Sequence, residues 1–221
     1  DHDAHRARID QVRALREELQ LPVAILIDTK GPEIRLGTFP KKVMLKAGDT
    51  FILTTVPTEG TAERASISFA GLPGDVDKGS HILIDDGLID LVVEKTTDTD
   101  IVCTVLNGGA VSSNKGINVP GAALSMPFMS DRDKADIAFA CEMEADFIAA
   151  SFTQRAADVL QIRQELERNQ NHTIRIIAKI ENAEGVDNID EILRVSDGIM
   201  VARGDMGVEI AMEEIPIIQK A

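Results

Sequence analysis

Residues 147–202 read FIAASFTQRAADVLQIRQELERNQNHTIRIIAKIENAEGVDNIDEILRVSDGIMVA, and three short apolar runs in this stretch decide the fold. Phe147 to Ser151, Ile174 to Ile180 and Gly198 to Ala202 have the length and content of buried strands. Between them Val159, Ile162 and Leu166 recur at helical spacing, and so do Val186, Ile189, Ile192 and Leu193. Strand and helix in alternation predict a parallel sheet, because parallel neighbours need a crossover and an amphipathic helix supplies it. Just upstream, Asp131 to Met143 reads as a further helix with Ser130 and Asp133 as its cap and with Ile137 and Cys141 on its buried face.

The same texture opens the chain. Ile9, Val12, Leu15 and Leu19 mark a helix that leads through Pro22 into a strand over Val23 to Ile27, the fourth parallel strand. From about Gly37 to Gly121 the pattern changes to short β-branched runs broken by Gly, Asp and Pro, among them Phe51 to Thr55, His81 to Ile84, Leu91 to Lys95 and Ile101 to Leu106. The expected organisation is therefore an α/β domain in two parts, residues 1–36 and 122–221, with a small all-β domain inserted at 37–121. Parallel strands covered by helices build either a closed barrel or an open doubly wound sheet. Neither GxGxxG nor GxxxxGK[ST] occurs, which favours the barrel, and four strands make only part of one.

Composition narrows the chemistry. The 221 residues carry 23 Lys and Arg against 37 Asp and Glu, a net charge of -14, with no basic stripe; nucleic acid is not an expected partner. A phosphorylated substrate would have to be held by local cations, metal ions or helix ends against a negative overall field. Cys103 and Cys141 fall in different structural textures, which argues for a reduced, cytoplasmic setting without disulfides. No apolar run reaches the length of a membrane span. His2, His5, His81 and His172 are scattered, which argues against a His-based zinc site and against a Ser/His/Asp triad.

In parallel α/β folds ligands bind at the C-terminal ends of the strands, and polar residues gather there. The first strand runs into Asp28, Thr29, Lys30 and Gly31, the second ends at Ser151, the third in Lys179 and Glu181, and the fourth in Arg203, Gly204 and Asp205. Lys179 and Glu181, two apart in extended chain, point the same way. Glu181 and Asp205 from neighbouring strand ends could hold Mg²⁺, which commonly takes one or two protein carboxylates, with Lys179 beside them to neutralise a phosphoryl group in transfer. A simple ion pair at a strand end accounts for the same spacing, and both readings stay open here. Residues 202–207 (ARGDMG) are expected to form a tight turn whose backbone N–H groups can meet an anion. An adhesion tripeptide at Arg203 to Asp205 is the weaker alternative, since it follows a buried strand. Residues 29–35 (TKGPEIR) could be only a hinge, and Asp85, Asp86 and Gly87 are most simply a hairpin turn.

Four stretches taken together, IDTKGPEIR at 27–35, KGINVPG at 115–121, IAKIENAEGV at 177–186 and MVARGDMGVEI at 200–210, resemble the signature segments of the pyruvate kinase family, in that family's order. The resemblance covers essentially the whole chain. It implies strands 3 to 6 of a (β/α)8 TIM barrel with a mobile β lid inserted after the third strand. It also implies transfer of the phosphoryl group of phosphoenolpyruvate to ADP, followed by protonation of the enolate to pyruvate. Position by position, Lys179 resembles the residue that stabilises the moving phosphoryl group. Glu181 and Asp205 resemble Mg²⁺ (or Mn²⁺) ligands, and the backbone around Ala202, Arg203, Gly204 and Asp205 resembles the substrate-carboxylate cradle. Asp28 and Thr29 resemble K⁺ ligands, and Glu33 is the residue type that accompanies K⁺ dependence. Arg35 and Lys115 resemble contacts to the ADP/ATP phosphates, and one of Asp85 or Asp86 would approach the metal nucleotide when the lid closes. A homotetrameric parent is implied.

Residues of the family's site that precede Asp1 and follow Ala221 have no counterpart here, so the chain reads as a central fragment, inactive by itself and with bare sheet edges. Two rivals remain. One is a Mg²⁺-dependent aldolase or lyase of the phosphoenolpyruvate/pyruvate-binding barrel type, against which the insertion and Lys179 argue. The other is a fragment that binds ligands without turnover.

Overall fold

The computed structural model describes residues 1–220. In chain order the elements are α1 (His2–Leu19), β1 (Leu26–Asp28), β2 (Ile34–Arg35), β3 (Val43–Leu45), β4 (Thr50–Thr54), β5 (Arg64–Ser66), α2 (Leu72–Asp75), β6 (His81–Ile84), β7 (Ile89–Thr96), β8 (Asp100–Asn107), β9 (Gly109–Val111) and β10 (Gly116–Asn118). There follow α3 (Asp131–Glu142), β11 (Phe147–Ala150), α4 (Ala156–Arg168), β12 (Arg175–Ile180), α5 (Ala183–Asp187), α6 (Ile189–Val195), β13 (Gly198–Val201), α7 (Arg203–Glu209) and α8 (Ile215–Ile218). They fall into two compact units, Asp1–Pro32 with the chain from Pro127 onward, and Glu33–Met126.

The first unit is built on a parallel sheet in the order β1-β11-β12-β13, curled as part of a barrel wall. Registers run Asp28 to Ala149, Ala150 to Ala178 and Ile180 to Val201. Along β12 the side chains alternate: Ile176, Ala178 and Ile180 are buried, while Ile177 and Lys179 lie half-buried on the other face. That buried face shares a core with Ile137 and Ala140 of α3, Val159, Ile162 and Leu166 of α4 and Ile192 of α6. Each fully buried Ile or Leu there contributes about 1.5–3 kcal/mol by leaving water. Ser130 caps α3 as expected, with a reciprocal capping box to Asp133.

Several boundaries differ from the sequence reading. The first strand begins only at Leu26, after an extended run behind Pro22. The stripe of α1 is not a buried face: Ile9 is buried, but Val12, Leu15 and Leu19 are exposed, and no described element packs over them. The helix expected around Val186 to Leu193 is two short helices. The chain breaks at Asn188, which ends α5, begins α6 and donates its amide to the Gln154 carbonyl, a position suited to a side chain that competes with helical backbone bonds.

The second unit is a seven-stranded sheet, β2-β10-β6-β7-β8-β4-β5, antiparallel except between β4 and β5, with a small β3-β9 pair. Alternate residues of β4, β6, β7 and β8, including Phe51, Leu53, Ile82, Ile84, Leu91, Ile101 and Val105, fill its core. Cys103 lies in that core and its thiol is pushed up to about 12 by burial, with the Glu94 charge adding to it, so it is an inert packing residue. Both cysteines are free. Among the described residues no helix is long and apolar enough to cross a membrane.

Candidate active site

The sheet register assembles a polar cluster at the C-terminal ends of β1, β11 and β12. Asp28 ends β1, Ser151 stands one residue past β11, and Lys179 is the penultimate residue of β12. Because the helices cover the face of Ile176, Ala178 and Ile180, Lys179 and Glu181 both face away from them. The Lys179 Nζ lies 3.0 Å from Glu181 Oε1 and 3.0 Å from Ser151 Oγ, and it donates to both Asp28 oxygens at 3.2 and 3.3 Å. Ser151 Oγ in turn donates to Asp28 Oδ1 at 3.0 Å. One ammonium is thus held among three acceptors supplied by three strands.

Glu181 is held from two sides. Its Oε2 accepts the backbone N–H of Phe152 at 2.5 Å while Oε1 faces Lys179, and its side chain is 1% exposed. Phe152 is left-handed, φ 55°, a conformation a bulky residue adopts only where its surroundings impose it. That turn aims the N–H at the carboxylate. Burial drives the Glu181 carboxyl upward and Asp205 adds to the rise, against the opposing Lys179 and Phe152 bonds. Burial works to lower Lys179, but the hydrogen bonds and charges of Glu181 and Asp28 together outweigh it and raise this group. The pair therefore lifts Lys179 while failing to hold Glu181 down; the firm outcome is a protonated Lys179, which faces two carboxylates and a hydroxyl.

The loop after β1 is pinned by a buried carboxylate. Asp133 Oδ1 accepts the N–H groups of Lys30 and Gly31 at 3.1 Å each, and Oδ2 accepts Ser130 N at 2.9 Å and Oγ at 2.5 Å. Gly31 has φ +69°, and a Cβ added there would lie 2.7 Å from the Ser151 carbonyl oxygen. The Thr29 hydroxyl donates to Ala149 O at 3.3 Å and accepts from Ser151 N at 3.1 Å, so it is used up between the two strand ends.

At the fourth strand end the expectation of a tight turn is corrected. Ala202 is the N-cap residue of α7, its N–H bonds Ile180 O at 3.1 Å, and Arg203, Gly204 and Asp205 are the first turn of that helix. No Cβ penalty or positive φ marks Gly204, which leaves the chain free to enter a helix directly. Asp205 is exposed, and its charge is felt at Glu181.

Arg35 and Lys115 belong to the second unit. Arg35 Nη1 donates to Asn114 O at 2.6 Å and the guanidinium pairs with Glu33. Lys115, just before β10, pairs with Asp85 at 2.7 Å. Asp85 and Asp86 do form the hairpin turn between β6 and β7, with φ 56° at both. The structure brings Lys179, Glu181 and Asp28, all singled out in the sequence, together at one rim. Sequence reasoning passed over the Ser151 hydroxyl, the Phe152 N–H and the second role of Asp133. Ser151 was visible as a strand end, whereas nothing in the residue type Phe signals a left-handed turn.

The family model described as the barrel domain of pyruvate kinase matches residues 1–221. A pyruvate kinase of Clostridium acetobutylicum is 51% identical over 222 residues, covering 100% of this chain and 47% of the relative. One of Geobacillus stearothermophilus is 49% identical over 223 residues, covering 100% of this chain and 38% of the relative. The crystal structure of a pyruvate kinase from Cryptosporidium parvum superposes with a TM-score of 0.93 at 42% identity, covering 100% of this chain and 47% of that one. The chain therefore spans about half or less of the length of the relatives it matches. Four parallel strands with a lysine and carboxylates at one rim, a β insertion after the first of them, and end-to-end similarity at this level agree: the chain belongs to the pyruvate kinase barrel-domain family.

Proposed function

We propose that the complete protein of which this chain is part transfers the phosphoryl group of phosphoenolpyruvate to ADP, and that the rim at β1, β11, β12 and β13 carries that step. The P–O bond to the enol oxygen breaks, a new bond forms to a terminal ADP oxygen, and the enolate left behind takes a proton to become pyruvate. The observation that carries this reading is the Lys179 ammonium, protonated and fixed among Asp28, Ser151 and Glu181. A fixed positive charge is what a phosphoryl group spreading negative charge over its oxygens requires. The rival reading, a Mg²⁺-dependent aldolase or lyase of the phosphoenolpyruvate/pyruvate-binding barrel type, is not favoured by the relatives found.

Glu181 and Asp205 are the two carboxylates that would hold a divalent ion; no group of three or more His, Cys, Asp or Glu side chains stands together among the described residues, so substrate oxygens and water would complete its shell. Glu181 and Asp205 are close enough for one charge to raise the other's carboxyl, a repulsion that a cation between them would relieve. Bound there, Mg²⁺ or Mn²⁺ would supply Lewis-acid polarisation of the substrate oxygens. Asp28, with its side chain exposed at the rim, fits a K⁺ ligand; Thr29 has its hydroxyl engaged in the sheet, so its main-chain carbonyl is the group that would serve. The backbone of Ala202, Arg203, Gly204 and Asp205 would cradle the substrate carboxylate. Arg35 and Lys115 would contact the nucleotide phosphates from residues 37–121 and their borders, read as a lid on a barrel in two parts, 1–36 and 122–221. The protein is read as a cytoplasmic homotetramer.

The test is Lys179→Met in the complete protein. Pyruvate formation should fall by at least about a thousandfold, while binding of Mn²⁺, followed by its electron paramagnetic resonance, stays within about threefold. Near-normal turnover would remove Lys179 from the mechanism.

A further inference from the structure

Lys115, the cation that the proposed function assigns to nucleotide phosphate, is already neutralised inside its own unit. Its Nζ sits 2.7 Å from Asp85 Oδ1, with the two side chains 35% and 23% exposed. The partner is not a passing neighbour. Asp85 N–H donates to Gly116 O at 3.1 Å, and its own carbonyl accepts Leu88 N–H at 3.1 Å, so the backbone ties Asp85 to the strand that follows Lys115. Asp85, Asp86 and Gly87 have φ of 56°, 56° and 82°, a run of left-handed residues that fixes where the Asp85 carboxylate points. The register places Ile117 opposite Ile84, which brings Lys115 and Asp85 to the same end of β10 and β6.

The surrounding charge makes this pairing consequential. At this end of the sheet Arg35 lies opposite Gly116 and is itself engaged by Glu33 and by Asn114 O. Three carboxylates, Glu33, Asp85 and Asp86, thus stand on the segments that carry two cations, within a chain of net charge -14. An incoming polyphosphate finds Lys115 already paired with a carboxylate that is half-shielded from water, where ion pairs are stronger than on an open surface, and so competes with Asp85 for its charge.

We infer that Asp85 is the resident competitor of the nucleotide for Lys115, and that it sets the affinity of this site for ADP by an exchange of partners. The inference rests on the reading of Lys115 as a phosphate contact. It differs from the expectation that Asp85 or Asp86 helps hold the metal nucleotide, because it gives Asp85 an opposing effect on an anion that arrives without a metal.

The experiment is calorimetric titration of the complete protein with ADP at fixed ionic strength and without divalent ion. Asp85→Asn keeps the side-chain shape and suits a left-handed residue, so it removes the charge with little cost to the turn. Its Kd for ADP should fall by about three- to tenfold. Asp98→Asn, the same change in charge at an exposed residue of this unit that does not contact Lys115, should change Kd by less than about twofold. Lys115→Met should weaken ADP binding, and in that background Asp85→Asn should add nothing, since the two act through one contact. Asp85→Gly, also compatible with the positive φ, replaces the Asn variant if that fails to fold. Unchanged or weaker binding in Asp85→Asn, with Lys115→Met still harmful, overturns the exchange and leaves the nucleotide reading standing. A Lys115→Met variant that binds ADP as well as the parent overturns both.

Discussion

Single residues set the geometry of the rim more tightly than their number implies. Glu181 and Lys179 are oriented by one backbone N–H and one hydroxyl, those of Phe152 and Ser151, at the turn leaving β11. Gly31 holds the same turn from the opposite side, because its missing side chain lets the Ser151 carbonyl approach. Gly31→Ala combines a positive φ with a Cβ 2.7 Å from backbone oxygen, and backbone cannot rotate out of the way. A loss of about 1–3 kcal/mol in urea unfolding is expected, together with weaker Mn²⁺ binding at the displaced rim. Gly74→Ala, where nothing lies within 4 Å of the added carbon and the residue is helical, should be neutral or slightly stabilising. Equal effects at the two positions would refute this account.

The parallel strands share an anchoring device at their N-terminal ends. Asp146, just before β11, accepts the Ile25 N–H at 2.7 Å, and Asp197, just before β13, accepts the Ile176 N–H at 2.8 Å. Each also returns its own N–H to the same neighbour, Ile25 O and Ile176 O. Asp197 adds Arg163 of α4 at 3.2 Å and so ties a crossover helix to the strand it serves. Burial works to raise the Asp197 carboxyl, but the Ile176 N–H, Arg163 and Arg175 together bring it below the usual range. A carboxyl lowered in the folded state favours folding above its unfolded pKa, and that contribution disappears as pH falls through the folded pKa. Asp197→Asn should therefore be less stable than the parent at pH 7, with the difference shrinking below about pH 4. Urea midpoints measured from pH 7 to pH 2.5 check this; a constant offset across that range would exclude the ionised pair as the cause.

On the scale of the molecule, the first unit is a sheet with two open edges. The order β1-β11-β12-β13 leaves the outer sides of β1 and β13 without a partner strand among the described residues, and Leu26 of β1 and Ile199 and Met200 of β13 are exposed. Open edges beside apolar side chains pair with whatever strand is available. The 221-residue chain by itself should therefore self-associate at micromolar concentration in light scattering and form no pyruvate from phosphoenolpyruvate and ADP. Under the same conditions the complete protein should turn over. A monodisperse, active chain would show that the four strands suffice.

The parallel strands, the helices between them, the β insertion and the polar strand ends were legible in the sequence because each rests on local periodicity. A strand buried on both faces reads as an apolar run, a crossover helix shows a 3.6-residue stripe, and a charged residue closing an apolar run has only the sheet rim to occupy. The spacing of Lys179 and Glu181 even gave their common face, since side chains of extended chain alternate. Which residues meet across strands was not legible, because register depends on packing and on hydrogen bonds between segments more than a hundred residues apart, as for Asp28 with Lys179 or Lys30 with Asp133. Local pattern also cannot tell a helix stripe that is buried from one left bare, as in α1, or reveal that a phenylalanine is held left-handed. Tertiary structure alone decided those points, because only there do the costs of strain and exposure meet the contacts that offset them.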